Sequence, residues 1–310
     1  MTPENNKIIM FFETLNNIPL PMWIKQNILT ALSKGIGQLI TAGFDWPTAF
    51  LESKAKELRA RSEGNNIVQI EASNQVASLF KTDSDLANRA LKYYAEKIIE
   101  SQINREDVAN NFIKEVPVQD INENNKADID FDWLNSFWTI AESKSSEEIK
   151  YILGKTLARE VTNPKSISPI TLQLISVLTT DIGTAFHKLC NLSIKSDNFA
   201  FVIHPKLTPF MTCGELSDYG IAFDEQAELE GIGLIRSINA VSLNISPELG
   251  EFLDCEYAGI KAKINFSSGV KIIDFTRAGR ELRSLLELKP NEEYTEFLIG
   301  LGDDKFKIDK

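Results

Sequence analysis

Helical periodicity dominates the first two thirds of the chain. After a short opening helix and the Pro19-Leu20-Pro21 break, Ile28, Leu32, Ile36, Leu39 and Ile40 recur at three- and four-residue spacing, which predicts a helix over about 23–41. Gly35, Gly37 and Gly43 weaken it. In Phe44-Asp45-Trp46-Pro47, Asp45 is placed as an N-cap with Pro47 in the first turn, so a second helix is predicted to about residue 62. Apolar residues at Ile67, Ile70, Val76, Leu79 and Phe80 predict another. Asp83 or Ser84 then caps a helix to about 101, and 105–115 reads as a separate one.

A polar stretch over 117–127, with Pro117 and an unbroken Asn/Glu run at 122–125, reads as a solvated linker. Beyond it, Phe131, Trp133, Leu134, Phe137, Trp138 and Ile140 form an aromatic helix face. Ser145-Ser146-Glu147-Glu148 supplies a Ser-x-x-Glu capping box for a helix to about 161, which Asn163-Pro164 stops. Ser168-Pro169 and Thr179-Thr180-Asp181 open two more, reaching 178 and 191. Connections this short imply antiparallel neighbours around one core.

The texture changes after Ser196. Residues 199–203, 241–243, 259–266 and 270–275 are β-type runs, and Ser267-Ser268-Gly269 predicts a hairpin between the last two. Residues 224–235 read as a short helix running into a strand, and helices are predicted over 276–288 and from Pro290 to 301. Short helix, strand, hairpin, helix is the order of a winged-helix-like module. The expected fold is therefore mainly α: a helical domain over 1–116, the 117–127 linker, a helical domain with an aromatic core over 128–196, and a smaller α+β winged-helix-like domain over 197–310.

Composition narrows the function. The 310 residues are 43% hydrophobic and 25% charged, the makeup of a folded globular protein. Net charge is −11, from 33 basic and 44 acidic residues, which removes a broad electrostatic footprint for nucleic acid or anionic lipid. Cys190, Cys213 and Cys255 are odd in number and widely spaced, the pattern of reduced thiols in a cytoplasmic protein. The apolar run 8–12 is too short for a signal peptide core and lacks a cationic start. Lys34, Asp45 and Pro47 interrupt 28–51, so no constitutive membrane span is expected.

Searches for chemistry return structural readings. His187 and His204, the two histidines, have no second ligand at metal-binding spacing. Nucleophile motifs are lacking, and the pairs Gly35/Gly37 and Gly231/Gly233 lack the third glycine and the lysine of phosphate loops. Glu147-Glu148, Asp303-Asp304 and Asp128, Asp130 and Asp132 fit helix capping and solvation better than Mg²⁺ binding. No catalytic residue, metal ligand or cofactor is expected, and the chain reads as a non-enzyme.

Two surfaces stand out instead. In the winged-helix-like module the helix that would enter a DNA groove carries Asp224, Glu225 and Glu228, opposed by a row of Arg277, Arg280 and Arg283 on the following helix. With 12 basic against 19 acidic residues over 201–310, this surface favours protein over DNA, although nucleic acid stays an alternative. The other is the net basic 28–61 stretch, where Phe44, Trp46, Phe50 and Lys54 are candidates for membrane or partner contact, against a plain core hairpin.

Asp132-Trp133-Leu134-Asn135-Ser136-Phe137-Trp138, followed by Ser145-Ser146-Glu147-Glu148-Ile149, the 153–160 run Leu-Gly-Lys-Thr-Leu-Ala-Arg-Glu and the 163–168 run Asn-Pro-Lys-Ser-Ile-Ser, resembles the bacterial abortive-infection alpha (Abi-alpha-like) proteins and a related family of unknown function. The likeness extends upstream over 20–61, and Asp274-Phe275-Thr276-Arg277-Ala278-Gly279-Arg280-Glu281-Leu282 resembles that family's C-terminal ending. The resemblance implies a bacterial protein associated with phage defence and carries over no catalytic residues. The leading expectation is a non-enzymatic interaction, effector or accessory protein of such a system, with other defence proteins or a second copy as partners. The alternatives are a winged-helix transcriptional regulator and a membrane-acting toxin using 28–61.

Overall fold

The computed structural model describes residues 11, 15, 20–36, 84–116, 127–196, 199–205, 215–236, 242–245 and 252–308. In the first half the described residues include the helices α1 (Met22–Ile36), α2 (Ser84–Glu115), α3 (Phe131–Ala141) and α4 (Glu147–Thr162). Two shorter ones follow, α5 (Pro169–Val177) and α6 (Thr180–Asn191). Asp130, Ser146, Ser168 and Thr179 cap α3 to α6, each side chain accepting the third helical amide. The cap of α4 is Ser146 and not Ser145, because its hydroxyl reaches both the Ile149 amide and the Glu148 carboxylate.

Residues 84–115 form one helix, not two. Gln102-Ile103-Asn104 contains no glycine or proline to end it, and Gln102 bonds Glu106 one turn on at 2.9 Å. The C-terminal half of α2 is buried through Val108, Ala109 and Phe112, and Lys150 of α4 reaches Asp107 at 2.5 Å. Gly154 lets α4 lie against α2, since a Cβ there would stand 2.6 Å from Asn111 Cβ. The residues expected as a linker lie almost wholly outside the described ones. The helices on either side of them share one hydrophobic core.

Asn27 of α1 ties that core together. Its amide donates to the carbonyls of Ala127 (3.0 Å) and Val161 (3.2 Å) and accepts from the Ile129 amide (3.1 Å). Trp138 donates its ring N–H to Ala31 O at 3.0 Å and packs against Gly35, where an added Cβ would be 2.1 Å from the ring. Gly35 is a packing glycine.

Among the described residues the C-terminal half holds a sheet of eight antiparallel strands: β1 (Ile194–Ser196), β2 (Phe199–Ile203), β3 (Ile235–Arg236), β4 (Ser242–Ile245), β5 (Leu253–Tyr257), β6 (Ile260–Ile264), β7 (Phe266–Phe275) and β8 (Phe306–Ile308). Their order is β3-β7-β2-β1-β5-β6-β8, with β4 also on β7. Helices α7 (Phe223–Gly231), α8 (Arg277–Arg283) and α9 (Glu292–Gly300) complete the half. Ala200, Phe201, Val202 and Ile203 are all buried, so both faces of the central strand β2 are covered. On one face Phe186 of α6 meets Phe275 edge-on at 5.9 Å. On the other Tyr294 of α9 donates to Ile203 O at 2.7 Å.

The hairpin falls elsewhere than expected. β6 and β7 do not pair; β5 and β6 do, from Leu253–Ile264 to Tyr257–Ile260, around Ala258-Gly259 with both residues at positive φ. Instead of turning at Ser267-Ser268-Gly269, strand β7 runs straight through and pairs with β2, β3 and β4. The polar Ser-Ser-Gly run reads as a turn locally, yet β4 pairs with β7 on both sides of it, at Phe266 and at Val270 and Lys271. Helix α8 ends at Arg283, five residues short of the expected 288, and the chain continues as an irregular strap over 284–289.

Gly35→Ala is expected to cost about 1–3 kcal/mol through overpacking against Trp138. Chemical denaturation checks it; an unchanged midpoint contradicts the close packing of these two residues.

Candidate functional site

The two stretches that carry the family resemblance come together at one place in the fold. Helix α4 ends in Arg159-Glu160, the loop 163–168 leads into α5, and α8 lies against α5. Glu160 is 1% exposed and points back into the loop, accepting from the amides of Lys165 (2.6 Å) and Ile167 (3.0 Å) and from the Ser166 hydroxyl (3.4 Å). Burial, the largest influence on it, pushes its carboxyl above the usual range despite those bonds. Trp133 donates its ring N–H to Ile167 O at 2.9 Å.

From the other side Glu281 of α8 accepts from the Ser168 amide (2.7 Å) and the Thr171 hydroxyl (2.5 Å), capping α5 from outside its own segment. Arg277, one turn earlier, holds it at 2.7 Å. Burial raises the Glu281 carboxyl, and the bonds from Ser168, Thr171 and Arg277 outweigh it, holding it below the usual range. Thr276 caps α8 and donates its hydroxyl to Gly233 O at 2.7 Å. Gly279 is required there: a Cβ would stand 2.1 Å from Leu234 O.

Beside this junction a cleft separates α4 and α6 from the 284–289 strap. The Lys155–Glu287 ion pair (3.2 Å) divides it into two cavities of about 520 and 420 Å³. His187 donates from Nε2 to Glu287 O at 3.0 Å and Asn191 accepts from the Lys289 amide at 2.9 Å, pinning the strap to α6. The larger cavity is lined by Lys155, Arg159, Thr162 and Asn163 on one wall and by Leu285 and Leu286 on the other.

The arginines expected as a row occupy three environments. Arg277 is exposed and paired with Glu281, Arg280 donates to Phe275 O at 2.6 Å, and Arg283 is 4% exposed, donating Nε to Ser193 Oγ at 2.5 Å. A helix of this length turns Arg283 inward toward Cys190, whose thiol burial drives upward in pKa. Of the acids, Asp224 and Glu228 are exposed, while Glu225 accepts from the Ala222 amide (2.7 Å) and Lys188 (3.1 Å). Neither set bonds to the other among the described residues. Phe44, Trp46, Phe50 and Lys54 lie outside them.

The remaining candidates settle into local roles. Asp130 caps α3, accepting from the Trp133 amide at 2.8 Å; Glu147 pairs with Lys150. His204 is buried, and its amide donates to Lys271 O. Among the described residues no group of three His, Cys, Asp or Glu side chains is placed to hold a metal ion, and no helix is long and apolar enough to cross a membrane. Arg159 and its cleft were missed by sequence reading, because a lone arginine in the last helical turn reads as a partner of the helix dipole.

A mainly helical protein with an antiparallel sheet in its C-terminal part, the two meeting where Glu281 of α8 bonds the start of α5, is the class these features define. The chain belongs to the family described as "Protein of unknown function (DUF2806)", whose model matches residues 88–299. That span takes in Trp133, the 153–168 stretch and the 274–282 stretch. No curated protein and no solved structure matches it.

Glu281→Gln is expected to cost about 1 kcal/mol at pH 7, the loss of charge on three hydrogen bonds. Because the folded carboxyl titrates below its ordinary 4.5, that contribution is present above 4.5 and is lost as pH falls through the depressed value. The gap between wild type and variant therefore closes in acid. Glu160 has the opposite sign: its raised pKa adds stability below 4.5 that is lost as pH rises, so wild type gains on Glu160→Gln in acid. Urea unfolding across pH 3–7 checks both slopes.

Proposed function

We propose that this protein is a non-enzymatic interaction or effector component of a bacterial anti-phage defence system of the abortive-infection type, acting in the cytoplasm. The resemblance of 132–168 and 274–282 to abortive-infection alpha proteins supplies the biological setting. The observation that carries the interaction role is the N-terminal half of α2. Tyr93 is 67% exposed, Tyr94 64% and Ile99 60%, with Leu91, Ile98 and Ile103 also about half exposed. Large apolar side chains gathered on one helix mark a surface for another protein. A partner of the same system or a second copy of the chain fits that surface.

The resembling positions support this reading indirectly. Glu160, Glu281, Trp133 and Thr276 are spent on backbone hydrogen bonds, so none of them is free for chemistry. The rival reading, a winged-helix regulator, keeps an order of short helix, strand, hairpin and helix. It loses its DNA-contacting row, because Arg283 is buried. A wing would moreover have to be the 253–264 hairpin.

Cells carrying the gene are expected to lower phage plating efficiency relative to cells without it. Tyr94→Glu with Ile98→Glu should restore plaques while leaving the helical circular-dichroism signal unchanged. Equal plating across a broad phage panel with and without the gene overturns the defence role. Protection that survives the double substitution overturns the helix surface as its means.

A further inference from the structure

Arg159 is charged, largely enclosed and almost without partners. Its Nε is buried with no hydrogen-bond acceptor, and its one contact is Nη1 to Ser284 O at 3.5 Å, the outer limit of a hydrogen bond. Among the described residues every other arginine with an assigned bond does better. Arg89, Arg105, Arg236 and Arg277 have carboxylates, and Arg280 and Arg283 have oxygen acceptors at 2.6 and 2.5 Å. Glu160 and Glu281 act on Arg159 through space but are committed to the 163–168 loop and α5.

A guanidinium largely taken out of water with no carboxylate in direct contact is costly, and a cavity of about 520 Å³ opens beside it. That volume is in the range of small-molecule sites, roughly 300–1,000 Å³. Lys155 stands one turn before Arg159 on α4, with Asn163 one turn after, so the three line one wall. Lys155 contacts both Glu115 (3.8 Å) and Glu287 (3.2 Å), so Arg159 is the cation of the cavity that has no carboxylate in contact. Leu285, Leu286 and Ala158 give it apolar surface as well.

We infer that this cavity is a binding site for a small molecule bearing one oxyanion group, a phosphate or a carboxylate, held on the terminal nitrogens of Arg159. The two terminal nitrogens of a guanidinium present N–H donors side by side, which match two oxygens of either group. Asn163 and Thr162 supply neutral polar atoms, and the leucine pair receives an apolar body. An occupant there bridges α4 to the 284–289 strap, and so couples the helical half to the sheet half. This site is independent of the defence role and of the α2 surface.

The test uses the full chain and three probes at matched ionic strength: inorganic phosphate, adenosine monophosphate and succinate, by calorimetric titration and thermal shift. Saturable binding of at least one probe is expected. Arg159→Met should weaken it by about tenfold or more, the effect of losing one charge-assisted hydrogen bond. Lys97→Met, a charge control on exposed α2, should leave it unchanged. If Arg159→Met does not fold, Arg159→Lys keeps the charge, loses the fork, and should still weaken binding. A phosphate-only response and a succinate-only response both support the site and identify the head group. No saturation by any probe, or equal affinity in wild type and both Arg159 variants, overturns it.

Discussion

Everything else in this fold is arranged around the need to satisfy the backbone of one six-residue loop. Residues 163–168 turn the chain between α4 and α5 with Lys165 at φ 71, where a non-glycine residue is held only by its surroundings. Ile167 and Ser168 are buried there, and buried amides and carbonyls must find partners. They find them in three side chains from three helices: Glu160 for the Lys165 and Ile167 amides, Trp133 for the Ile167 carbonyl, Glu281 for the Ser168 amide. Glu160 belongs to the helix just ended, Trp133 to the aromatic helix before it, and Glu281 lies 113 residues away, beyond the sheet.

That arrangement brings the 132–168 and 274–282 stretches to one place. The first provides the loop and two of its anchors; the second provides the third anchor and the means of orienting it. Thr276 caps α8, Gly279 seats it on the Leu234 carbonyl, and Arg277 steers Glu281. Moving any of these shifts α8 relative to α5. The same registry sets Arg159 beside the strap, since Arg159 adjoins Glu160 on α4 and the strap begins where α8 ends. A structural junction thus also fixes the position of an unpaired cation.

What could be read from sequence followed the range of the interaction. Asp130, Ser168 and Thr179 announce their helices through local capping, and the structure uses each as expected. Trp133 and Trp138 were legible as core but not as hydrogen-bond donors, because Ile167 and Ala31 lie 34 and 107 residues away. Strand pairing was the least legible. Ser267-Ser268-Gly269 has turn chemistry, but β7 is fixed by non-local partners on three strands, and β1 and β8 are only three residues each. The arginine triplet failed for the same reason: spacing places 277, 280 and 283 on one helix face, while packing against Ser193 decides which of them is buried.

Amide hydrogen exchange over residues 163–168 measures the central constraint directly. With Glu160, Trp133 and Glu281 in place, the amides of Lys165, Ile167 and Ser168 should be protected to the level of the α4 core, and Glu281→Gln should release Ser168 before the helices. Exchange of all three at the rate of the exposed Asp303-Asp304 turn would contradict it, and the two halves would then have to be joined by something other than this loop.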